Sequence, residues 1–411
     1  MSGLLHVWLR GAHVGELEQL RNGRLRLRYA SSLLDTYGVG ARPVSLCLPL
    51  TDERVQGDHL ERFLDNLLPE GAVRGALERE HGVRPGDTFG LLRRIGRECA
   101  GAIQLTDEDS PPGDGRLVPL DADDVDRVVA SLPTLDPPEG EVVSASLGGV
   151  QSKVLLTRTP TGWAWPGRGA MSTHLVKPEP VTGTGPADLV RWEDWTLRVA
   201  REAGLPAAHA ELATFDGRLA LVVERFDRSE GRRTHQEDLT QALGVASRDK
   251  YESSTGEHRL RRVATQAAAE AVDPAAFVAD LLAQVTFNLV VGNGDAHSKN
   301  YSLTIDAAAT FSMAPLYDVA PVYLLNDVYQ SFGHCLDGQG RLRHLTAGHL
   351  VREASTWGVD PRVVTRTVAS VATRVRAALP RVTGNGIDVS TVAELIDRRA
   401  RAALEAVGDA A

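Results

Sequence analysis

The segment Asn288-Leu-Val-Val-Gly-Asn-Gly-Asp-Ala-His-Ser-Lys-Asn-Tyr301 begins at the end of an apolar helical run and breaks into a glycine-containing loop. That loop presents Asp295, His297, Lys299 and Asn300. An Asp followed five positions later by an Asn is the arrangement of a phosphotransfer catalytic loop. The Asp accepts or orients the attacking hydroxyl, and the Asn amide oxygen ligates magnesium. The same spacing also fits a capped turn, in which both side chains satisfy nearby backbone N–H groups.

Downstream, Phe311-Ser-Met-Ala-Pro-Leu-Tyr-Asp-Val-Ala320 reads as an apolar strand with Asp318 at its end. An acid leaving a strand can hold a magnesium ion that bridges phosphates, the role of the Asp in a kinase DFG motif. Here Tyr317-Asp318-Val319 stands in place of those letters. Alone, Asp318 reads better as a solvated strand-end residue; with Asp295 and Asn300 it favours metal-assisted phosphoryl transfer. Upstream, Ser146-Leu-Gly-Gly-Val-Gln-Ser-Lys153 is neither a Walker A loop nor GxGxxG. Its paired glycines would still let backbone N–H groups approach phosphates, although such pairs are also ordinary turns. Lys177 closes the β-like run Thr173-His-Leu-Val-Lys-Pro178 and is a candidate phosphate partner, with a solvated surface charge as the alternative.

Composition sets the frame for these motifs. The chain has 411 residues, 43% apolar and 24% charged, with 45 Lys+Arg against 54 Asp+Glu for a net charge of −9. These are globular values that exclude a disordered chain, and a domain scale of ~150 residues predicts two or three units. The acidic balance argues against a surface that binds nucleic acid throughout. No uninterrupted apolar stretch reaches the ~20 residues needed to span a bilayer. The start, Met1-Ser-Gly-Leu-Leu-His, lacks a basic region followed by an apolar core, so a cytoplasmic location is expected. Cys47, Cys99 and Cys335 are far apart and build neither a disulfide framework nor a zinc site.

Along the chain, Leu25, Leu27 and Tyr29 alternate with Arg24, Arg26 and Arg28 as in a half-buried strand, after an Asn22-Gly23 hairpin turn. Leu60, Phe63, Leu64, Leu67 and Leu68 recur at helical spacing, and Pro69-Glu70-Gly71 divides residues 60–81 into two helices. Phe89, Leu92 and Ile95 predict another short helix. Residues 107–115 and 132–140 are acidic and rich in turn formers, and Asp121, Asp123, Asp124 and Asp126 lie between them. Segments of that kind are expected to bury little. The division is therefore an N-terminal domain over 1–106, an acidic Pro/Gly-rich connecting segment over 107–140, a β-rich nucleotide-binding lobe over 141–228 and a helical catalytic lobe over 229–411. β-like runs fall at 154–157, 174–177 and 219–226. Asp273-Pro274 and Asp360-Pro361 each place an N-cap before a proline that opens a helix. A last amphipathic helix over 389–407 presents Arg398, Arg399 and Arg401 on what reads as a solvated face. Trp192 and Trp195 read as core, and His334, His344 and His349 as ordinary polar or core residues. The fold class is α+β: a two-lobed, protein-kinase-like core with a small N-terminal α+β domain.

These segments closely resemble the HipA family of bacterial toxin kinases. The family's SxxGxQxK is represented by Ser146, Gly149, Gln151 and Lys153, and its phosphate-contacting lysine falls on Lys177. Val-Val-Glu-Arg-Phe-Asp-Arg is intact at residues 222–228, with Glu224, Arg225 and Phe226 where the family holds adenine. Thr234-His-Gln-Glu-Asp-Leu-Thr-Gln-Ala-Leu-Gly244, Gly294-Asp-Ala-His-Ser-Lys-Asn300 and Tyr317-Asp318 match further blocks. Phe63-Leu-Asp-Asn-Leu-Leu-Pro-Glu-Gly71 and Ile95-Gly-Arg-Glu-Cys-Ala-Gly101 resemble the family's N-terminal domain. Gly148 stands where many relatives carry Ala or Pro, and Ala296 where Gly is common.

The resemblance implies an ATP- and Mg2+-dependent serine/threonine protein kinase. Asp295 would be the catalytic base, and Asn300 and Asp318 the magnesium ligands. Gly148, Gly149, Val150, Gln151, Ser152, Lys153 and Lys177 would contact phosphates, with His297, Lys299 and Tyr317 also lining the nucleotide site. It also implies autophosphorylation on Ser146 and a small helix-turn-helix antitoxin, HipB-like, that carries the pair to promoter DNA. A translation-related substrate such as an aminoacyl-tRNA synthetase follows from it too, and no membrane partner. A small-molecule or lipid kinase, or a non-catalytic co-repressor of an antitoxin, are the rival readings.

Overall fold

The computed structural model describes residues 3–132, 137–139, 141, 153–180, 186–252 and 256–408, which fall into two compact units. The first contains residues 1–178, 213–247 and 304–310, and the second residues 179–212, 248–303 and 311–411.

In the first unit a five-stranded antiparallel sheet runs Val55–Gln56, Leu25–Tyr29, Ala12–Gln19, Gly3–Leu9, Ile103–Thr106 from edge to edge. Leu25, Leu27 and Tyr29 face the core, while Arg26 and Arg28 pair across the outer face with Glu18 and Glu16. The helices Asp58–Asn66 and Gly71–Glu80 are separate, as the proline–glycine interruption predicts, and Thr88–Ile95 follows them. In a second antiparallel sheet, Arg218–Glu224, His174–Pro178, Val154–Thr159, Gly162–Gly167 and Arg116–Leu120 are successive neighbours. One apolar core joins both sheets, from Leu5 and Phe63 to Val176 and Val222.

The acidic stretch contains more structure than its composition suggests, and the expectation that it buries little is corrected at its centre. Arg116–Leu120 is a strand, and Ala122–Ala130 is a helix capped by Asp121, whose carboxylate accepts the Asp124 N–H. Val125, Val128 and Val129 are buried in the shared core, while Asp123 and Asp124 occupy the first turn, where negative charge suits the helix dipole. Counting acids misses that the valines share one face.

The second unit is organised around the helix Pro274–Val291. Asp273 caps it by accepting the Ala275 and Ala276 N–H groups, and Pro274 supplies the first helical position. Its length and apolarity would suit a membrane span, but most of it is buried inside the protein. It packs against Pro361–Ala378, Ser390–Gly408 and Ala347–Ser355. Trp195 is fully buried, donates its indole N–H to the Val382 carbonyl at 3.1 Å, and meets Trp192 edge-on, so both are core residues. Arg399 departs from the solvated face expected of it. Its guanidinium reaches the Leu289 carbonyl at 2.7 Å and Val290 at 3.2 Å, and stacks over Tyr323. It adds a charged donor to carbonyls in the last turn of the central helix, where positive charge suits the dipole. The expected strand before Asp318 is also shorter than read: it covers Phe311–Met313 and stops ahead of Pro315.

Candidate active site

The central helix ends at Gly292, whose φ of 75° is the left-handed conformation that lets the chain turn away. The loop that follows is held by a relay of carboxamides. Asn288 donates to the Gln284 carbonyl at 3.0 Å and to the Tyr301 hydroxyl at 3.1 Å. Asn293 donates to Asn288 Oδ1 at 2.8 Å and accepts the Asp295 N–H at 3.1 Å. Both side chains are buried, so the backbone of Asp295 is fixed from within the helix. Behind the loop the main chain approaches closely: a Cβ on Gly294 would lie 2.4 Å from the Tyr329 carbonyl oxygen, and one on Gly333 2.2 Å from that of Ala296.

Asn300 folds back on Asp295, its amide N–H donating to the Asp295 carbonyl at 2.9 Å. That bond engages the donor end of the carboxamide and leaves its Oδ1 as a hard acceptor. Asp318 is half-buried, with a φ of 55°. The Asp318 carboxylate and the Asn300 carboxamide oxygen are hard oxygen donors, which suit magnesium rather than a soft metal. Asp295 and Asp318 act on the same surroundings. Burial, then the charges of Asp295 and Asp318, raise the Tyr329 phenol above its ordinary value, and the same influences raise Tyr251.

Tyr251 is the residue that motif reading missed. Its hydroxyl donates to Asp295 Oδ1, and its ring meets His297 edge-on with centroids 4.9 Å apart. No local pattern marks it, because it lies in a loop 44 positions before its partner. His297 is buried, with Nε2 3.7 Å from Asp295 Oδ1. Burial, reinforced by Lys250, lowers its pKa to about 3, so the imidazole is neutral at physiological pH. Tyr317 works as a strut: its hydroxyl donates to the Lys299 carbonyl at 2.8 Å and lies 2.6 Å from Ser302 Oγ. The second unit thus brings Asp295, His297, Lys299 and Asn300 together on one braced loop.

In the first unit, Lys177 is buried in mid-sheet, opposite Leu221, on a strand flanked by Val154–Thr159 and Arg218–Glu224. Lys153 immediately precedes Val154–Thr159. Ser146, Gly148, Gly149, Val150, Gln151 and Ser152 lie outside the described residues. Glu224 is exposed at its strand end and Phe226 is half-buried. The Arg225 side chain is not free to reach a nucleotide, which fits the expected contact only through the backbone of this segment. The Arg225 backbone N–H donates to the Thr173 carbonyl at 2.9 Å, and its side chain is buried in an ionic network.

Arg225 contacts Glu98 at 2.9 Å, Asp227 at 2.8 Å and Ser172 Oγ at 2.7 Å. Arg228 contacts Glu98 at 3.1 Å and Asp227 at 2.9 Å, and Arg233 takes the other oxygen of Glu98. Asp227 also accepts the Gly101 N–H at 2.7 Å. Burial alone would raise the pKa of Glu98, but Arg228, Arg225 and Arg233 together hold it below the ordinary value. Within this motif the side chains of the arginines and Asp227 are scaffold, and the backbone of Glu224, Arg225 and Phe226 remains the candidate contact.

Comparison with known proteins agrees with this arrangement. The model of the HipA-like C-terminal domain matches residues 145–379, and that of the HipA N-terminal domain matches residues 5–106. The chain is 34% identical over 397 residues to Y4mE of Sinorhizobium fredii, named as a kinase, covering 92% of this chain and 91% of that one. It is 31% identical over 357 residues to the serine/threonine-protein kinase toxin HipA of Shewanella oneidensis, covering 83% and 81% respectively. It also superposes on the HipA of Shewanella oneidensis MR-1, solved with HipB and operator DNA, with a TM-score of 0.79 and 27% identity over 98% of this chain and 97% of that one. Fold and site together define a protein of the kinase class, α+β in architecture. Within that class, the chain belongs to the HipA family of serine/threonine kinase toxins.

Proposed function

We propose that this chain is an ATP- and Mg2+-dependent protein serine/threonine kinase and the toxin half of a toxin–antitoxin pair. The observation that carries the reading is the braced loop on which Asn300 holds the backbone of Asp295 while keeping its own Oδ1 for a cation. In this reading residues 1–106 are the small N-terminal domain, 107–140 connect it, 141–228 are the nucleotide-binding lobe and 229–411 the catalytic lobe. Bound Mg-ATP supplies the transferable phosphoryl group and divalent charge. Asn300 and Asp318 hold the cation through oxygen. Asp295 orients the substrate serine or threonine hydroxyl and accepts its proton. Neutral His297 packs beside that carboxylate without adding a competing positive charge. Lys177 and the 148–153 loop neutralise phosphate, and Glu224, Arg225 and Phe226 meet adenine through the backbone.

The partner is a HipB-like helix-turn-helix antitoxin, which brings the pair to promoter DNA in the cytoplasm; the HipA–HipB–operator assembly of the structural relative supports this. The substrate is a translation-related protein, with an aminoacyl-tRNA synthetase the first to test. Asp295→Asn and Asp318→Asn are each expected to abolish phosphate transfer to that protein, measured with labelled ATP, while thermal unfolding stays cooperative. Each ~1.4 kcal/mol added to the barrier is a tenfold loss, so removing a base or a metal ligand should cost several decades. Near-normal transfer in either variant would exclude the assignment. Transfer to a lipid or metabolite but to no protein would favour the rival kinase class.

A further inference from the structure

The outer face of the N-terminal sheet carries a cluster that phosphotransfer does not use. Along the strand Gly3–Leu9, Leu5, Val7 and Leu9 enter the core, so His6 and Trp8 point to the opposite face. His6 lies across from Glu16 on one side and Thr106 on the other, and Trp8 across from His13 and Gln104. A register shift between Val7 and Trp8 brings the His13 ring to 5.5 Å from that of His6. Asp109 sits just beyond the strand Ile103–Thr106 on the neighbouring edge. One ring nitrogen of His6, one of His13 and an Asp109 carboxylate oxygen all fall within 4.8 Å of one another. His6 Nδ1 and His13 Nε2 are the atoms to account for.

Both nitrogens are buried and, among the described residues, have no hydrogen-bond partner. His6 is only 7% exposed, and Asp109 approaches it at 3.5 Å without hydrogen-bond geometry. Buried polar atoms are rarely left unpaired, so two such imidazole nitrogens in a cluster with one carboxylate call for a ligand. We propose that His6, His13 and Asp109 form a zinc site, with a fourth position open to water. Tetrahedral zinc with bonds of about 2.1 Å separates its ligands by roughly 3.4 Å, close to the His6–Asp109 spacing. The Asp109 side chain is exposed, so it can adjust to a metal at this position. Glu16 is held by Arg28 at 2.6 Å and is not counted as a ligand.

The surroundings are pre-set for such a site. Trp8 packs 5.0 Å from His13 and donates to Thr106 Oγ1 at 2.9 Å, and Thr106 in turn donates to the Glu108 carbonyl at 2.8 Å. That chain fixes the turn bearing Asp109. Two imidazoles select a borderline transition metal over magnesium or calcium, so the ion is distinct from the one that phosphotransfer needs. Bound there, zinc ties the segment after Thr106 to the first hairpin.

The full-length protein, stripped with chelator and titrated with ZnCl2, should bind one zinc at this site and melt at a higher temperature when loaded. Co2+ should give the visible absorption of a four-coordinate site. His13→Gln and Asp109→Asn lie outside the apolar core; each should weaken zinc by about tenfold or more while leaving the metal-free melting temperature unchanged. Millimolar Mg2+ should not displace the zinc. Full zinc affinity in both variants, or no zinc-dependent shift in the wild-type chain, overturns the proposal.

Discussion

Glu98→Gln offers a quantitative test of the buried network, because one substitution changes its charge without changing its shape. Glu98 and Asp227 face Arg225, Arg228 and Arg233, so two negative charges stand against three positive ones. Removing Glu98 leaves one against three in a place where the Glu98, Arg225 and Arg228 side chains are almost wholly excluded from water. Stripping one partner from a buried ion pair costs about 3–5 kcal/mol, and three arginines share this partner, so the upper part of that range is expected. Against a typical total of about 5–15 kcal/mol, such a loss should move the urea midpoint of the first unit markedly, as followed by circular dichroism.

Glu61→Gln is the control. It breaks an exposed pair with Arg24 at 3.3 Å and should cost under about 1 kcal/mol. The pH dependence has a definite sign. The folded pKa of Glu98 lies below its ordinary 4.5, so the stability it contributes is complete above pH 4.5 and is lost as pH falls through the lower folded value. The gap between wild type and Glu98→Gln should therefore be full at neutral pH and narrow in acid. A Glu98→Gln loss no larger than that of Glu61→Gln, or a gap that widens in acid, would refute the reasoning.

Lys177→Ala should weaken ATP far more than adenosine in a calorimetric titration, because the lost partner is a phosphate; equal losses would remove Lys177 from the phosphate site. Tyr251→Phe removes the hydroxyl that occupies Asp295 Oδ1 and should speed turnover about five-fold, the worth of an ordinary hydrogen bond of about 1 kcal/mol. A slower variant would instead make Tyr251 a substrate-positioning residue. After incubation with Mg-ATP, mass spectrometry should find phosphate on Ser146, and none in an Asp295→Asn control. The added charge of about −2 should suppress ATP binding, and phosphate confined to Ser144 or Ser152 would reject the switch.

What could be read from the sequence was what depends on neighbours in the chain. Asp273-Pro274 and Asp360-Pro361 announced their helices because capping is settled within one turn. The Asp295–Asn300 pair was visible for the same reason, both residues lying on a single loop. Partners far apart in sequence left no such signal. The burial of the Arg225 side chain could not be read because Glu98, which receives its charge, lies 127 positions away. Arg399 looked like surface until the carbonyls at the end of another helix appeared beside it. The strand before Asp318 was overread because apolar letters continue past Pro315, where a ladder hydrogen bond is lost.

The Glu98 network also limits how a chain like this can exchange parts with its relatives. Its acid comes from the segment matched by the N-terminal family model and its arginines from the segment matched by the C-terminal one. A crossover anywhere between residues 107 and 144 would look harmless, since it falls between the two matches. Yet it would pair an acid from one ancestor with basic residues from another. A recombinant is expected to be stable only where both ancestors carry the same arrangement of charge, which couples the two segments.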